Sequence, residues 1–236
     1  MPSPIARHLT SKVLAALQDT PVVFLQGPRQ AGKSTLARAL ADHGHSAEYV
    51  SFDDAAALGA AEHHPEDFID GFDHPVILDE VQRVPALFLA IKRAVDRNRR
   101  PGHFLLTGSA NALVVPTLAD ALVGRVEIQT LWPLSQGELA GRVESFIDRA
   151  FGDTGLGDTA QQRFAPRAAA IHGDRSDLFE RIVAGGFPEA TARTSTERRN
   201  AWFGSYVTTI LQRDVRDLAT VERLGEFPLL LKALAA

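Results

Sequence analysis

Cysteine is absent from all 236 residues, which excludes disulfides, thiolate catalysis, Cys-ligated zinc and iron–sulfur clusters. Long apolar runs are missing too. No stretch approaches the roughly 20 consecutive apolar residues of a membrane span, and the start Met1-Pro-Ser-Pro-Ile-Ala-Arg7 lacks the pattern of a signal peptide. Nor is there an excess of positive charge. Lys and Arg number 25 against 29 Asp and Glu, a formal net charge of −4, so a basic nucleic-acid-binding domain is not indicated beyond local patches. No internal repeat is visible. Hydrophobic residues make up 45% and charged residues 23%, as in globular proteins, and the length suits one domain of ordinary size with a smaller companion. A soluble, cytoplasmic protein is the expectation.

Five short apolar runs read as strands: Pro21–Gln26, Ala47–Phe52, Pro75–Asp79, His103–Thr107 and Arg125–Leu131. Helical spacing falls around them, in an amphipathic opening segment Ile5–Leu17, from Gly32 to near Gly44, and at about 54–70, 86–98 and 111–122. Short apolar strands alternating with helices predict an α/β fold, a parallel sheet covered by helices on both faces, because parallel strands need crossover connections. The pattern divides the chain into a sheet domain over 1–140, a Gly-rich flexible connection over 141–175, and a helical region over 176–236 with a long helix from about Thr196 to Leu218.

Gly27-Pro28-Arg29-Gln30-Ala31-Gly32-Lys33-Ser34 fits the P-loop pattern G-x-x-x-x-G-K-S/T, at a strand-to-helix junction. Glycines let backbone N–H groups wrap phosphates, and the helix N-terminus, reached at Lys33, Ser34 and Thr35, adds donors and a positive dipole. Lys33 is expected on the β and γ phosphates of ATP, and Ser34 on Mg²⁺. Val76-Ile77-Leu78-Asp79-Glu80 is an apolar strand ending in two carboxylates, at the sheet edge where open α/β folds bind ligands. Asp79 is expected to hold Mg²⁺ through water, and Glu80 to polarise the attacking water. Leu105-Leu106-Thr107-Gly108-Ser109-Ala110-Asn111 ends in small polar groups on a strand expected between these two. Thr107, with Ser109 and Asn111 as alternatives, is expected to touch the attacking water or the γ-phosphate; a turn and helix N-cap is the plainer reading.

Gly27-Pro-Arg-Gln-Ala-Gly-Lys-Ser-Thr-Leu36, Ser51-Phe-Asp53, Ile77-Leu-Asp-Glu-Val-Gln82, Leu106-Thr-Gly-Ser109, Gly124-Arg125 and Pro133-Leu-Ser-Gln-Gly-Glu138 occur in one order. This combination resembles uncharacterised prokaryotic ATP-binding proteins of the AAA superfamily with a GPRQ-x-GK-S/T P-loop. The likeness continues through Gly185-Gly-Phe-Pro-Glu189 and Leu211-Gln-Arg213-Asp214-Val215. It implies an AAA-type sheet, ATP with Mg²⁺, and a helical region acting as lid or docking surface. It also implies a catalytic cation at Arg125, worth about 10³ to 10⁵ in rate when an arginine lies near transferred phosphates, and a second sensor at Arg213. Members of the family usually continue into a further C-terminal domain often compared with nuclease folds, so the helical region ending at Ala236 is expected to be incomplete.

Arg125 opens its strand, on the sheet edge opposite the P-loop, which leads us to expect it to act on a neighbouring subunit's nucleotide in a homo-oligomer. An Mg²⁺-dependent ATPase is the first expectation. A small-molecule kinase and a nucleotide-gated protein- or DNA-binding module are the alternatives, and the choice of ATP over GTP is not made by any N-K-x-D motif. The run Lys92-Arg93, Arg97, Arg99-Arg100 reads as a solvated helix end. His43, His45, His63 and His64 lack a third ligand at useful spacing and read as surface residues. Trp132, Trp202 and Tyr206 read as core or lid anchors.

Overall fold

The computed structural model describes residues 5–109, 118, 120–144, 175–210 and 233. Strands β1 (Val22–Gly27), β2 (Glu48–Ser51), β3 (Val76–Asp79), β4 (Phe104–Ser109) and β5 (Val126–Thr130) form one sheet in the order β2-β3-β4-β1-β5. Every neighbouring pair is parallel. All five lie where the apolar runs predict them, and β4 separates the P-loop strand from the Asp79 strand as expected.

Side chains alternate faces along each strand, and the core divides accordingly. Val22 and Phe24 of β1, with Leu78 and Leu106, pack into one buried cluster, whereas Val23 and Leu25, with Ile77 and Leu105, enter the other. The first cluster is covered by α3 (Ala55–His63), α4 (Pro65–Asp70) and α5 (Leu87–Arg97), and the second by α1 (Thr10–Asp19) and α2 (Lys33–Ala39), which a 3-10 turn extends over Leu40–His43. On α5 the stripe Leu87, Phe88, Ile91 and Val95 is buried. Each such side chain contributes about 1.5–3 kcal/mol by leaving water.

The helix expected over 54–70 is two helices. Asp54 caps α3 by accepting from the N–H groups of Ala56 and Ala57 at 2.9 Å. His64 then leaves helical geometry (φ −137°, ψ 64°) because the proline that follows disfavours it, and Pro65 begins α4. The opening helix starts at Thr10, and the residues before it run toward the P-loop. Of the helix expected at 111–122, residues 111–117 and 119 lie outside the described residues, as does Asn111 with them, while 118 and 120–122 are helical.

Beyond β5 come the short helix α6 (Gln136–Leu139), then α7 (Arg175–Ala184), α8 (Pro188–Thr191) and α9 (Thr196–Ile210). Residues 145–174, most of the expected connection, lie outside the described residues, as do Arg213 and residues 211–218 of the helix expected to reach Leu218. The helical region meets the sheet closely: the Leu134 N–H donates to the Gly186 carbonyl at 2.7 Å. A Cβ at Gly186 would collide with the Leu134 carbonyl, so only glycine permits this approach.

Candidate nucleotide site

β1 delivers the chain to Gly27, whose φ of +155° and abutment on the Leu131 carbonyl leave no room for a side chain. Gly32 takes the left-handed conformation (φ 96°, ψ 24°) immediately before α2, and Gln30 is left-handed as well (φ 61°). The loop 28–32 therefore turns its backbone sharply into the start of a helix. Within it, Lys33 is 5% exposed, and its ammonium donates to the carbonyls of Gly27 and Pro28, both at 3.0 Å. Its charge is thus stored inside the loop. Thr35 is exposed, one position beyond Ser34.

β3 carries Asp79 to the same edge, where it is 4% exposed. Its Oδ1 accepts from the Ser34 hydroxyl at 3.0 Å and from the Thr107 hydroxyl, and its Oδ2 accepts from the Tyr49 hydroxyl at 2.5 Å. Ser34, Asp79 and Thr107 are brought together from three separate elements. A hydroxyl and a carboxylate oxygen 3.0 Å apart form a hard donor pair of the kind Mg²⁺ accepts, since that ion keeps several of its waters and needs few protein ligands. Among the described residues no group of three or more His, Asp or Glu could hold a metal, which excludes a carboxylate or imidazole cage there.

Glu80 follows in a left-handed conformation (φ 60°, ψ 40°), and its N–H donates to Thr107 Oγ1 at 3.4 Å. Its carboxylate accepts from the Gln82 side-chain amide. The other end of that amide, Oε1, is buried without a hydrogen-bond partner among the described residues. A Cβ at Gly108 would come within 2.7 Å of it, so glycine at 108 makes room for Gln82 beside Glu80. Ser109 is buried at the end of β4, paired in register with Gly27.

Behind the loop, Arg7 donates to the Ala31 carbonyl at 2.8 Å, to the Trp132 carbonyl at 2.5 Å and to Glu138 at 3.1 Å. Glu138 and Ser135 form a reciprocal cap at the start of α6, and Glu138 also accepts from the His8 N–H at 2.8 Å. Burial alone would push the Glu138 carboxyl up, but the N–H groups of Ser135 and His8 and the Arg7 guanidinium together hold it below its ordinary value. From the helical region, the Tyr206 hydroxyl donates to the Arg29 carbonyl at 3.3 Å. Trp202 stacks on Tyr206 (centroids 5.1 Å, 18°), and both rings adjoin Phe187.

Arg125 lies elsewhere. Its Nε donates to Asp96 at 2.6 Å and a terminal nitrogen to the Val123 carbonyl at 2.8 Å, beside the C-terminal end of α5. Val126 pairs with Val22, the first residue of β1, whereas the P-loop leaves from its last, Gly27. At about 3.3 Å per residue the two ends are roughly 16 Å apart. Of the basic run expected at a solvated helix end, Arg93 pairs with Glu66 and Arg97 with Asp70, while Arg99 and Arg100 donate to the carbonyls of Gly124 and Asp73. Trp132, expected as an anchor, is 68% exposed, and among the described residues its carbonyl is what Arg7 engages as the chain leaves β5.

Three contributors were not expected from the sequence. Tyr49 stood in a strand whose neighbours the pattern did not give. Gln82 was noticed only within a motif, and Arg7 reaches a partner 131 residues away.

Residues 19–140 match the AAA domain family, and residues 175–236 match a domain of unknown function. An uncharacterised protein of Mycobacterium tuberculosis and one of Mycobacterium bovis are each 32% identical over 217 residues, which cover 90% of this chain and 40% of each relative. The chain thus spans about 40% of the length of these curated relatives. Among solved structures, the Walker-type ATPase of Pyrococcus abyssi is similar with a TM-score of 0.49 and 13% identity, over 91% of this chain and 75% of that one. The Thermotoga maritima RuvB Holliday junction branch migration motor is similar with a TM-score of 0.40 and 20% identity, over 62% of this chain and 51% of that one.

Proposed function

The chain belongs to the AAA domain family, and from that premise we propose that it binds ATP with Mg²⁺, hydrolyses it to ADP and phosphate, and uses the cycle to move the helical region over the sheet domain. The observation that carries this reading is the Ser34 hydroxyl on Asp79 Oδ1 at 3.0 Å, with Glu80 next in the chain. In this reading residues 27–35 wrap the phosphates with backbone N–H groups, and Lys33 exchanges its two loop carbonyls for phosphate oxygens. Ser34 and Asp79 hold Mg²⁺, which would supply charge stabilisation at the phosphates. Glu80, released from Gln82, takes a proton from water at its carboxylate, while Thr107 keeps Asp79 turned toward Ser34.

Residues 1–140 then act as the ATPase unit and 176–236 as its lid. Arg125 is proposed to serve a neighbouring subunit in a homo-oligomer, since its own P-loop lies at the opposite sheet edge. Purified protein should release phosphate from ATP; Lys33→Ala should abolish nucleotide binding, and Glu80→Gln should retain binding and stop turnover. Turnover equal to wild type in Glu80→Gln would remove Glu80 from the mechanism. A phosphorylated metabolite in place of free phosphate would turn the reading to a kinase.

The contact of Tyr206 with the Arg29 carbonyl favours a second reading, a nucleotide-gated module in which occupancy of the loop resets a surface for a protein or DNA partner. Nucleotide-dependent protection of α7–α9 from protease without measurable hydrolysis would select it.

A further inference from the structure

Asp79 has two oxygens, and each is engaged differently. Oδ1 faces Ser34 and Thr107, while Oδ2 accepts, among the described residues, from the Tyr49 hydroxyl at 2.5 Å. Tyr49 comes from β2, the strand that neighbours β3, with Ser51 level with Asp79 and Tyr49 level with Ile77. Its ring packs on the cluster formed with α1 and α2, and the Arg38 guanidinium of α2 lies 4.1 Å from the ring centroid. A ring of this kind fills space equally well without its oxygen, so packing does not account for the hydroxyl.

The terminal torsion of an aspartate is broad, with no strongly preferred angle. Asp79 closes β3 at the C-terminal edge of the sheet, where among the described residues Tyr49 is the side chain that restrains Oδ2. We propose that Tyr49 is a positioning residue for the metal site: its hydroxyl holds Oδ2 so that Oδ1 stays turned toward Ser34. This rests on the reading of Asp79 as the metal carboxylate. The Arg38 guanidinium over the ring helps to fix it, a cation over an aromatic face being an attractive arrangement.

The test is equilibrium binding of a fluorescent ATP analogue, first in EDTA and then across a Mg²⁺ series, for wild type, Tyr49→Phe and Asp79→Asn, with urea unfolding of each. Tyr49→Phe keeps the ring beneath Arg38 and should unfold at a similar urea concentration. Its affinity in EDTA should stay within about twofold of wild type. The Mg²⁺ concentration giving half of the metal-dependent gain should rise about three- to tenfold, the loss of one hydrogen bond to a carboxylate. An unchanged Mg²⁺ midpoint in Tyr49→Phe beside a raised midpoint in Asp79→Asn would overturn the role of Tyr49 and leave Asp79 in place. Equal weakening with and without Mg²⁺ would also overturn it, since Tyr49 would then shape the loop and not the carboxylate. Wild-type Mg²⁺ dependence in Asp79→Asn would overturn the reading of Asp79 on which the inference stands.

Discussion

The two edges of the sheet use similar residues to opposite ends. At the C-terminal edge, Lys33, Asp79, Thr107 and Ser109 are buried and converge, and their hydrogen bonds join β1, β3, β4 and α2. At the N-terminal edge, Arg93, Arg97 and Arg125 each meet one acidic partner on the surface, and Arg100 donates to the Asp73 carbonyl and approaches His103. A cavity of about 400 Å³ opens there, lined by Ile69, Phe72, Ala94, Arg97, Arg100 and His103 among others. Its Arg97 pairs with Asp70, Arg100 donates to the Asp73 carbonyl although its Nε is buried without a partner among the described residues, and burial with Arg100 beside it lowers the His103 pKa, whereas the opposite edge holds a buried ammonium on neutral carbonyls next to a buried carboxylate that accepts from three hydroxyls. In the proposed cycle it is the groups of this edge that change partners, and that distinguishes it better than an empty volume does.

The sharpest way to break this contrast is Glu80→Gln, expected to lower turnover by about 10²- to 10⁴-fold with nucleotide affinity preserved, read by phosphate release and fluorescent-nucleotide binding. Next comes Arg125→Ala. It should retain binding, lose hydrolysis, and recover part of it when mixed with Lys33→Ala protein, which still carries the arginine; a mixture without recovery would leave Arg125 a surface partner of Asp96. Arg7→Ala should destabilise the fold by about 2–4 kcal/mol in urea unfolding, because it strands the buried Glu138 charge and two carbonyls.

The same node sets an acid limit. Glu138 is held below its ordinary value of 4.5 in the folded protein, so its contribution is present above that value and is lost as pH falls through the lower folded one. In Arg7→Ala the folded value moves back up, and unfolding on acidification should begin at a higher pH, as followed by circular dichroism. The smallest effect belongs to the far edge: Arg97→Ala, at an exposed pair, should leave both the urea midpoint and phosphate release unchanged.

The strands and the P-loop were legible because they are local. An apolar run bounded by glycine at 27, or by two carboxylates at 79 and 80, needs no knowledge of its neighbours. The break at Pro65 was equally local, and the helix pattern on both sides masked it. Tyr49 was not legible, since nothing in β2 tells that it lies against β3. Arg7 was hidden for the same reason at greater range: its carbonyl and carboxylate partners come from residues 31, 132 and 138. Arg125 was legible in position from its place at the start of a strand, but its partner Asp96 depends on how α5 ends beside it.

Glu80 sits with a left-handed backbone, a conformation that costs a side-chain-bearing residue about 1 kcal/mol and glycine very little. Replacing it by glycine should therefore make the protein more resistant to urea while removing the carboxylate. If Glu80 serves as proposed, mutation at this position has a direction: drift toward inactivity runs downhill in folding free energy, and selection on activity opposes it. A lineage released from that selection would be expected to accumulate glycine or asparagine here, turning the proposed ATPase into a sturdier scaffold without disturbing the sheet around it.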